Sequence, residues 1–196
     1  MPTPSRDVFL NIPFDRQGER SFLALIAVLV ALGLKPRSVL ELPSQRSRLD
    51  RLVQMIRSCP YSLHDLSRTG LSRSSTFRLP RFNMPFELGL AVAIAMTTGD
   101  AHQWWVIDTK PHRLGAALSD LSGFDATIHD GTIRGVYRAV TDIFVTKGRP
   151  LEEDEFLFVY RSVRETHRLL GRETFTHYTF QQLVLAATAA AAWLRQ

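Results

Sequence analysis

The chain has 196 residues, of which 45% are hydrophobic, enough for one full hydrophobic core and a small addition. Its longest apolar stretch, residues 22–34, is shorter than the ~20 residues that a bilayer requires, so we expect no transmembrane span and no membrane partner. The formal charge of +5 favours anionic partners, and a single cysteine with no hydrophobic signal region at the N-terminus favours a reducing, cytoplasmic setting.

The first half of the chain alternates between strands and helices. We predict strands at residues 8–12, 36–42 and 61–66, and helices at residues 21–34 and 48–57. The first of these helices is apolar nearly all round and is closed by Gly33, so we expect it to be buried. Cys59 comes just before the third strand, which indicates a buried and unreactive thiol.

Residues 81–91, RFNMPFELGLA, predict the start of an apolar helix that continues as far as Gly99. Asn83 is a good N-cap and proline is favoured in a first turn, so we expect Glu87 in the first turn of this helix. Free backbone N–H groups and the helix dipole would hold its carboxylate ionised and bind an anion nearby. The alternative is that Glu87 only complements the dipole of an ordinary surface helix.

The second half continues with strands at residues 104–108 and 126–129 and helices at residues 132–144, 152–170 and 179–195. The alternation predicts an α/β fold, a doubly wound parallel sheet of about five strands with helices on both faces. We assign residues 1–150 to this domain and residues 151–196 to a C-terminal helical extension. Two helices alone have too little apolar surface to fold, so we expect them to pack on the sheet domain, on a second copy or on a partner protein.

Ligands of such sheets bind beyond the carboxyl ends of the strands, close to the point where the strand order reverses. The residues at these ends are therefore candidate ligand-binding residues, although each also has an ordinary role in a turn. They are Asn11, Phe14 and Asp15 after the first strand, Glu41 after the second, His64, Asp65 and Ser67 at the end of the third, and Asp108 after the fourth.

The connection at residues 66–82 is longer than the ~12–15 residues at which structureless loops become uncommon, and it carries four arginines. One interpretation is a disordered insertion. The other is a lid over a phosphate-bearing ligand, because arginine binds phosphate in a bidentate way and the connection lies beside Glu87, where a lid would be needed. We therefore add Arg81 and Asn83 to the candidate binding residues.

Several common functional motifs are missing from the sequence. There is no G-x-G-x-x-G after the first strand, no G-x-x-x-x-G-K-[ST] and no G-x-S-x-G, which disfavours a dehydrogenase, a P-loop nucleotidase and an α/β-hydrolase. One cysteine and six scattered histidines do not give the usual zinc spacing. We therefore expect no metal site and no required cofactor.

Three segments together resemble a known superfamily: VFLNIPFD at residues 8–15, LHDLSR at residues 63–68 and FNMPFELGLA at residues 82–91. Their order is similar to that in the nucleoside 2-deoxyribosyltransferase and TIR-like superfamily, and closest to its uncharacterised bacterial members. The resemblance spans about residues 7–144 and implies a flavodoxin-like or TIR-like fold. It also implies ligand contacts at Asn11, Pro13 and Phe14, substrate recognition by Asp65, and catalysis by Glu87 within an E-x-G-x-A setting that includes Gly89 and Ala91.

The resemblance implies a protein that binds a nucleoside or nucleotide and cleaves an N-glycosidic bond, with NAD among the candidate substrates. In that chemistry the carboxylate of Glu87 stabilises the ribose carbon as it becomes positive, or adds to it, while Asp65 accepts hydrogen bonds from the sugar. His64 either assists proton transfer or is a packed core histidine. The alternative function is a nucleotide sensor without turnover. Nucleic-acid binding is the least favoured function, because no helix-turn-helix pattern is present.

Overall fold

The computed structural model describes residues 5–14, 18–42, 48–72, 79–171 and 175–195. Its strands are β1 (Asp7–Asn11), β2 (Lys35–Ser38), β3 (Tyr61–Asp65), β4 (Leu71–Ser72), β5 (Leu79–Pro80), β6 (Gln103–Asp108) and β7 (Thr127–Ile128). Its α-helices are α1 (Glu19–Ala31), α2 (Arg48–Ser58), α3 (Asn83–Thr98), α4 (Arg113–Ala117), α5 (Ile133–Ile143), α6 (Glu153–Leu170) and α7 (His177–Trp193). The strands and helices that the sequence predicts occur in the predicted order, with β4, β5 and α4 in addition.

Five strands form one all-parallel sheet in the order β2-β1-β3-β6-β7. Helices α2 and α3 cover the face of β1 that carries Phe9, and α1 and α5 cover the opposite face, which carries Leu10. The predicted doubly wound α/β fold is therefore confirmed. The strand order reverses between β1 and β3, which makes the carboxyl ends of these two strands the expected ligand position in a sheet of this topology.

Helix α1 is buried along almost its whole length, as its all-round apolar pattern predicted. Every residue from Phe22 to Ala31 is buried, because one side of the helix packs on the sheet and another side packs on α6 and α7. The two C-terminal helices thus share one hydrophobic core with the sheet. Within the described ranges, no helix combines the length and hydropathy that crossing a bilayer requires.

Two connections differ from the prediction. The strand expected at residues 36–42 ends at Ser38, because Val39–Glu41 form a 3-10 turn in which Glu41 accepts a hydrogen bond from the Ser38 backbone N–H at 2.8 Å. The connection at residues 66–82 contains an antiparallel ribbon of β4 and β5. Its central residues, 73–78, lie outside the described part of the chain. The two interpretations of this connection, a disordered insertion and a lid over a ligand, therefore both stay predictions.

Candidate functional site

A cavity of about 260 Å³ lies at the carboxyl end of β1, beside the reversal of strand order. Four segments enclose it: the end of β1 with the residues after it, the 3-10 turn after β2, the start of α2, and the residues before and at the start of α3. Its lining residues are Asn11, Ile12, Pro13, Phe14, Val39, Arg48, Arg81, Asn83, Met84 and Glu87. Six residues from the sequence-based candidate set therefore meet at one cavity: Asn11, Pro13, Phe14, Arg81, Asn83 and Glu87.

Glu87 lies deeper in its helix than predicted. Helix α3 begins at Asn83, Phe82 takes the N-cap position, and no side chain caps the first turn, so the predicted N-cap at Asn83 and first-turn position of Glu87 are wrong. The physical reason is that the chain turns earlier than expected: the Met84 N–H donates to the Arg81 carbonyl at 3.2 Å and the Phe86 N–H donates to the Phe82 carbonyl at 3.0 Å.

The protonation of Glu87 also differs from the expectation of a carboxylate held ionised by the helix start. Burial raises the pKa of Glu87 to about 7, and the charge of Arg48 on the same cavity opposes this shift. At neutral pH both the acid and the carboxylate are then well populated. A group with this property can exchange protons with a ligand in either direction, which is the requirement for general acid–base catalysis.

Two arginines bring positive charge to the cavity. Arg48 is the first residue of α2, and Arg81 precedes α3. Arg48 is not among the sequence-based candidate residues. The available signal was its position at the start of the helix that follows β2, since helices that return from a parallel strand begin near the same edge of the sheet. Guanidinium groups in this position suit a phosphate.

Asn11 is buried at the floor of the cavity, where His64 and the backbone of Met84 contact its side chain. Its Nδ2 donates to the Met84 carbonyl at 2.8 Å and lies 2.9 Å from Nδ1 of His64. His64 is fully buried, and burial together with the neighbouring His102 lowers its pKa to about 3. His64 is therefore neutral at physiological pH and supports the cavity without lining it.

Asp65, which the resemblance pairs with Glu87, does not line this cavity. Successive side chains of a strand point to opposite faces of the sheet, so Ser62 and His64 face α3 whereas Asp65 follows Leu63 onto the α1 side. Its carboxylate accepts a hydrogen bond from the Ser67 N–H at 2.9 Å, and burial raises its pKa. Of these two carboxyl groups, that of Glu87 lines the cavity and that of Asp65 does not.

Asp108 lines a second cavity, of about 270 Å³, where it forms an ion pair with Arg113. Arg81 borders both cavities. Glu41 is bound to Arg37 at 3.0 Å and lines a third cavity beside α7. Ser67 contributes its N–H to Asp65. The prediction for Asp15 falls outside the described residues.

Neither a metal site nor a reactive thiol is visible in the described part of the chain. No group of three His, Cys, Asp or Glu residues in those ranges is arranged to hold a metal ion. Cys59 is buried, and burial raises its pKa to about 12, so its thiolate is not populated near neutral pH.

In comparisons with known proteins, no family model matches the chain and no curated protein matches it.

Proposed function

We propose that the protein binds a nucleoside or nucleotide in the Glu87 cavity and cleaves its N-glycosidic bond. The observation that carries the proposal is one partly buried carboxyl group, with a pKa of about 7, that shares a cavity with Arg48 and Arg81 at the reversal of strand order. The arginines fit a phosphate, and the Phe14 ring and the Asn11 amide fit a base or a sugar. The resemblance to glycosidic-bond-cleaving proteins agrees with this ligand class.

The proposed reaction needs only one proton-exchanging side chain. The bond between C1′ of the sugar and the base nitrogen breaks, and its electron pair stays on the base. Water adds to C1′, and the carboxylate of Glu87 takes the proton that this water loses and later returns it to solvent. A purine or pyrimidine base takes up one proton from solvent as it leaves, whereas nicotinamide leaves NAD as a neutral molecule without taking one up. A carboxylate next to C1′ also stabilises the positive charge that develops there. No cofactor is required, and NAD is among the candidate substrates.

Incubation with nucleosides, nucleotides and NAD, with product detection by mass, tests the proposal. We expect the wild type to release a free base and Glu87→Gln to do so at least ~100-fold more slowly while still binding, because glutamine cannot accept the proton. Glu165→Gln on the exposed surface of α6 is the matched control and is expected to keep full turnover. Equal turnover by wild type and Glu87→Gln would contradict the proposed catalytic role.

The position of Asp65 favours a second candidate function, a nucleotide sensor. Of the two carboxyl groups that the resemblance implies, only that of Glu87 lines the cavity, and a site with one of the two agrees with binding without turnover. Calorimetry with the same compounds separates the two functions. Saturable binding with no released base over hours would support the sensor, and a released base would exclude it as the whole function.

A further inference from the structure

A series of buried hydrogen bonds runs from the floor of the cavity along the face of the sheet that α3 covers. Nδ1 of His64 meets Asn11, and Nε2 of His64 lies 3.0 Å from the hydroxyl of Ser62. The same hydroxyl lies 3.1 Å from Nε2 of His102, and Nδ1 of His102 lies 2.7 Å from the Cys59 carbonyl. The four side chains in this series of hydrogen bonds are at most 4% exposed. Because bulk water is excluded, each donor must meet an acceptor.

Carbonyl oxygens at both ends fix the direction of every bond in this series. The Cys59 carbonyl can only accept, so Nδ1 of His102 carries a proton and its Nε2 accepts from the Ser62 hydroxyl. That hydroxyl then accepts from Nε2–H of His64, whose Nδ1 is left to accept from Asn11. Burial lowers the pKa of both histidines, so both are neutral, as this arrangement requires.

The Asn11 end of this series of hydrogen bonds requires the same donor and acceptor directions. The Met84 carbonyl accepts from Nδ2 of Asn11, so the nitrogen and not the oxygen of the amide faces inward. With the bond to His64, both amide hydrogens are used. Rotating the amide by 180° would set its oxygen against the Met84 carbonyl and an unprotonated ring nitrogen. The atom that Asn11 can offer to a ligand in the cavity is therefore its oxygen, Oδ1.

We propose that His64 and Ser62 are positioning residues that lock the Asn11 amide, so that the cavity selects ligands presenting an N–H or O–H donor to Oδ1. This inference rests on the proposed function and narrows its ligand class. Donors of this kind are the amino group of adenine or cytosine and the hydroxyl groups of ribose. A ligand that presents a carbonyl oxygen at the same point meets another acceptor and is rejected, since a buried polar group without a partner is costly.

Histidine tautomers test the locked amide without any ligand. In protein labelled with ¹⁵N in its histidines, we expect His64 to be protonated at Nε2 and His102 at Nδ1, from pH 8 down to pH 6. Signals are assigned by their loss in His64→Asn and His102→Asn. A His64 ring protonated at Nδ1 would overturn the proposal, because it could not accept from Asn11.

Matched ligand pairs test the selection. Adenosine and purine riboside 5′-monophosphates differ only by the 6-amino group, cytidine and pyrimidin-2-one riboside 5′-monophosphates differ only by the 4-amino group, and each ribonucleotide differs from its 2′-deoxy form by one hydroxyl. In either the base pairs or the sugar pairs, we expect the compound that carries the additional donor to bind at least ~10-fold more tightly than its partner. The kind of pair that shows this difference identifies whether the base or the sugar donates to Oδ1 of Asn11. Equal binding in both sets would overturn the selection. Failure of all these compounds to bind would overturn the proposed function instead, while the tautomers still decide the amide orientation.

Two variants of His64, whose new side chains are nearly isosteric with each other, show whether His64 affects the ligand preference through its hydrogen bond with Asn11. His64→Asn places an amide oxygen close to the position of Nδ1, whereas His64→Leu has a similar shape and no acceptor. Both lose the ring and leave a similar void, so they are expected to lose similar stability. We expect His64→Asn to keep the ligand preference and His64→Leu to reduce it to less than ~3-fold. A purely structural role for His64 predicts the same preference in both, and that result would contradict the proposal.

Discussion

A chain that ends at residue 150 is expected not to fold. Removing α6 and α7 exposes the outer side of α1, whose residues from Phe22 to Ala31 are all buried in the whole protein. It also removes large core side chains such as Phe156, Val163 and Phe180. At roughly 1.5–3 kcal/mol for each large apolar side chain, the loss is on the order of 10 kcal/mol. A domain of this size has only about 5–15 kcal/mol to lose. A cooperative thermal transition of the purified fragment would contradict this expectation.

Point variants on α7 give the same test without truncation. Phe180 is 3% exposed and stacks on Phe22 with ring centroids 6.0 Å apart, so Phe180→Ala is expected to lower the free energy of unfolding by about 3–5 kcal/mol. Leu185, on the same helix, is 61% exposed, and Leu185→Ala is the matched control with an expected change within about 0.5 kcal/mol. Urea denaturation of both variants measures the difference. Equal losses would mean that α7 is not docked as the structure shows.

The C-terminal helices also reach the candidate site through aromatic contacts. The Phe22 ring lies 5.2 Å from the ring of Phe14, which lines the Glu87 cavity, and 4.7 Å from the ring of Phe175, just before α7. The segment after residue 150 therefore supports one wall of the cavity. The sequence could indicate that these helices needed a partner surface, because two helices alone have too little apolar surface to fold. It could not indicate which surface, since many apolar faces would satisfy the same pattern.

Regular periodicity made the fold accessible from the sequence. The buried pattern of α1 and the alternation of strands with helices depend on local hydrophobic order, and both are confirmed. The ribbon of β4 and β5 and the short helix α4 were not predicted, because elements of two to five residues carry too little periodic signal. The early end of β2 was missed for a similar reason: the turn depends on a side-chain bond between Glu41 and Ser38 rather than on hydrophobic order.

The candidate site was less accessible, because it depends on which face each residue takes. Position at a strand end drew attention to Asn11, His64 and Asp65 alike. Alternation along β3 then puts His64 on the α3 side and Asp65 on the other, so two neighbouring candidates have different surroundings. The series of hydrogen bonds through Ser62 and His102 joins residues 40 positions apart and had no signature in the sequence. Such hydrogen-bond networks can be identified only when the register of the strands is known.

Replacing Glu87 by glutamine is expected to stabilise the protein at neutral and alkaline pH and to have little effect near pH 4. The pKa of Glu87 is raised from 4.5 to about 7 in the folded protein, so between these pH values the folded state holds a proton that the unfolded state has released. The stability of the wild type therefore falls as pH rises through this window, and it stays lower above pH 7. Glutamine does not titrate, so the variant escapes this loss, which amounts to at most about 3 kcal/mol.

The measurement is the free energy of unfolding in urea at several pH values from 4 to 8.5, for the wild type and Glu87→Gln. The titrations of His64 and Asp65 affect both proteins and cancel in the difference, so the difference should rise from near zero at pH 4 to a plateau above pH 7. Glu165→Gln is the control and should show no such rise, because Glu165 is exposed and its pKa is lowered by Arg168. A pH-independent difference would mean that Glu87 titrates normally. A confirmed rise would show that the protein keeps this carboxyl group at a cost in stability, as expected of a residue retained for its chemistry.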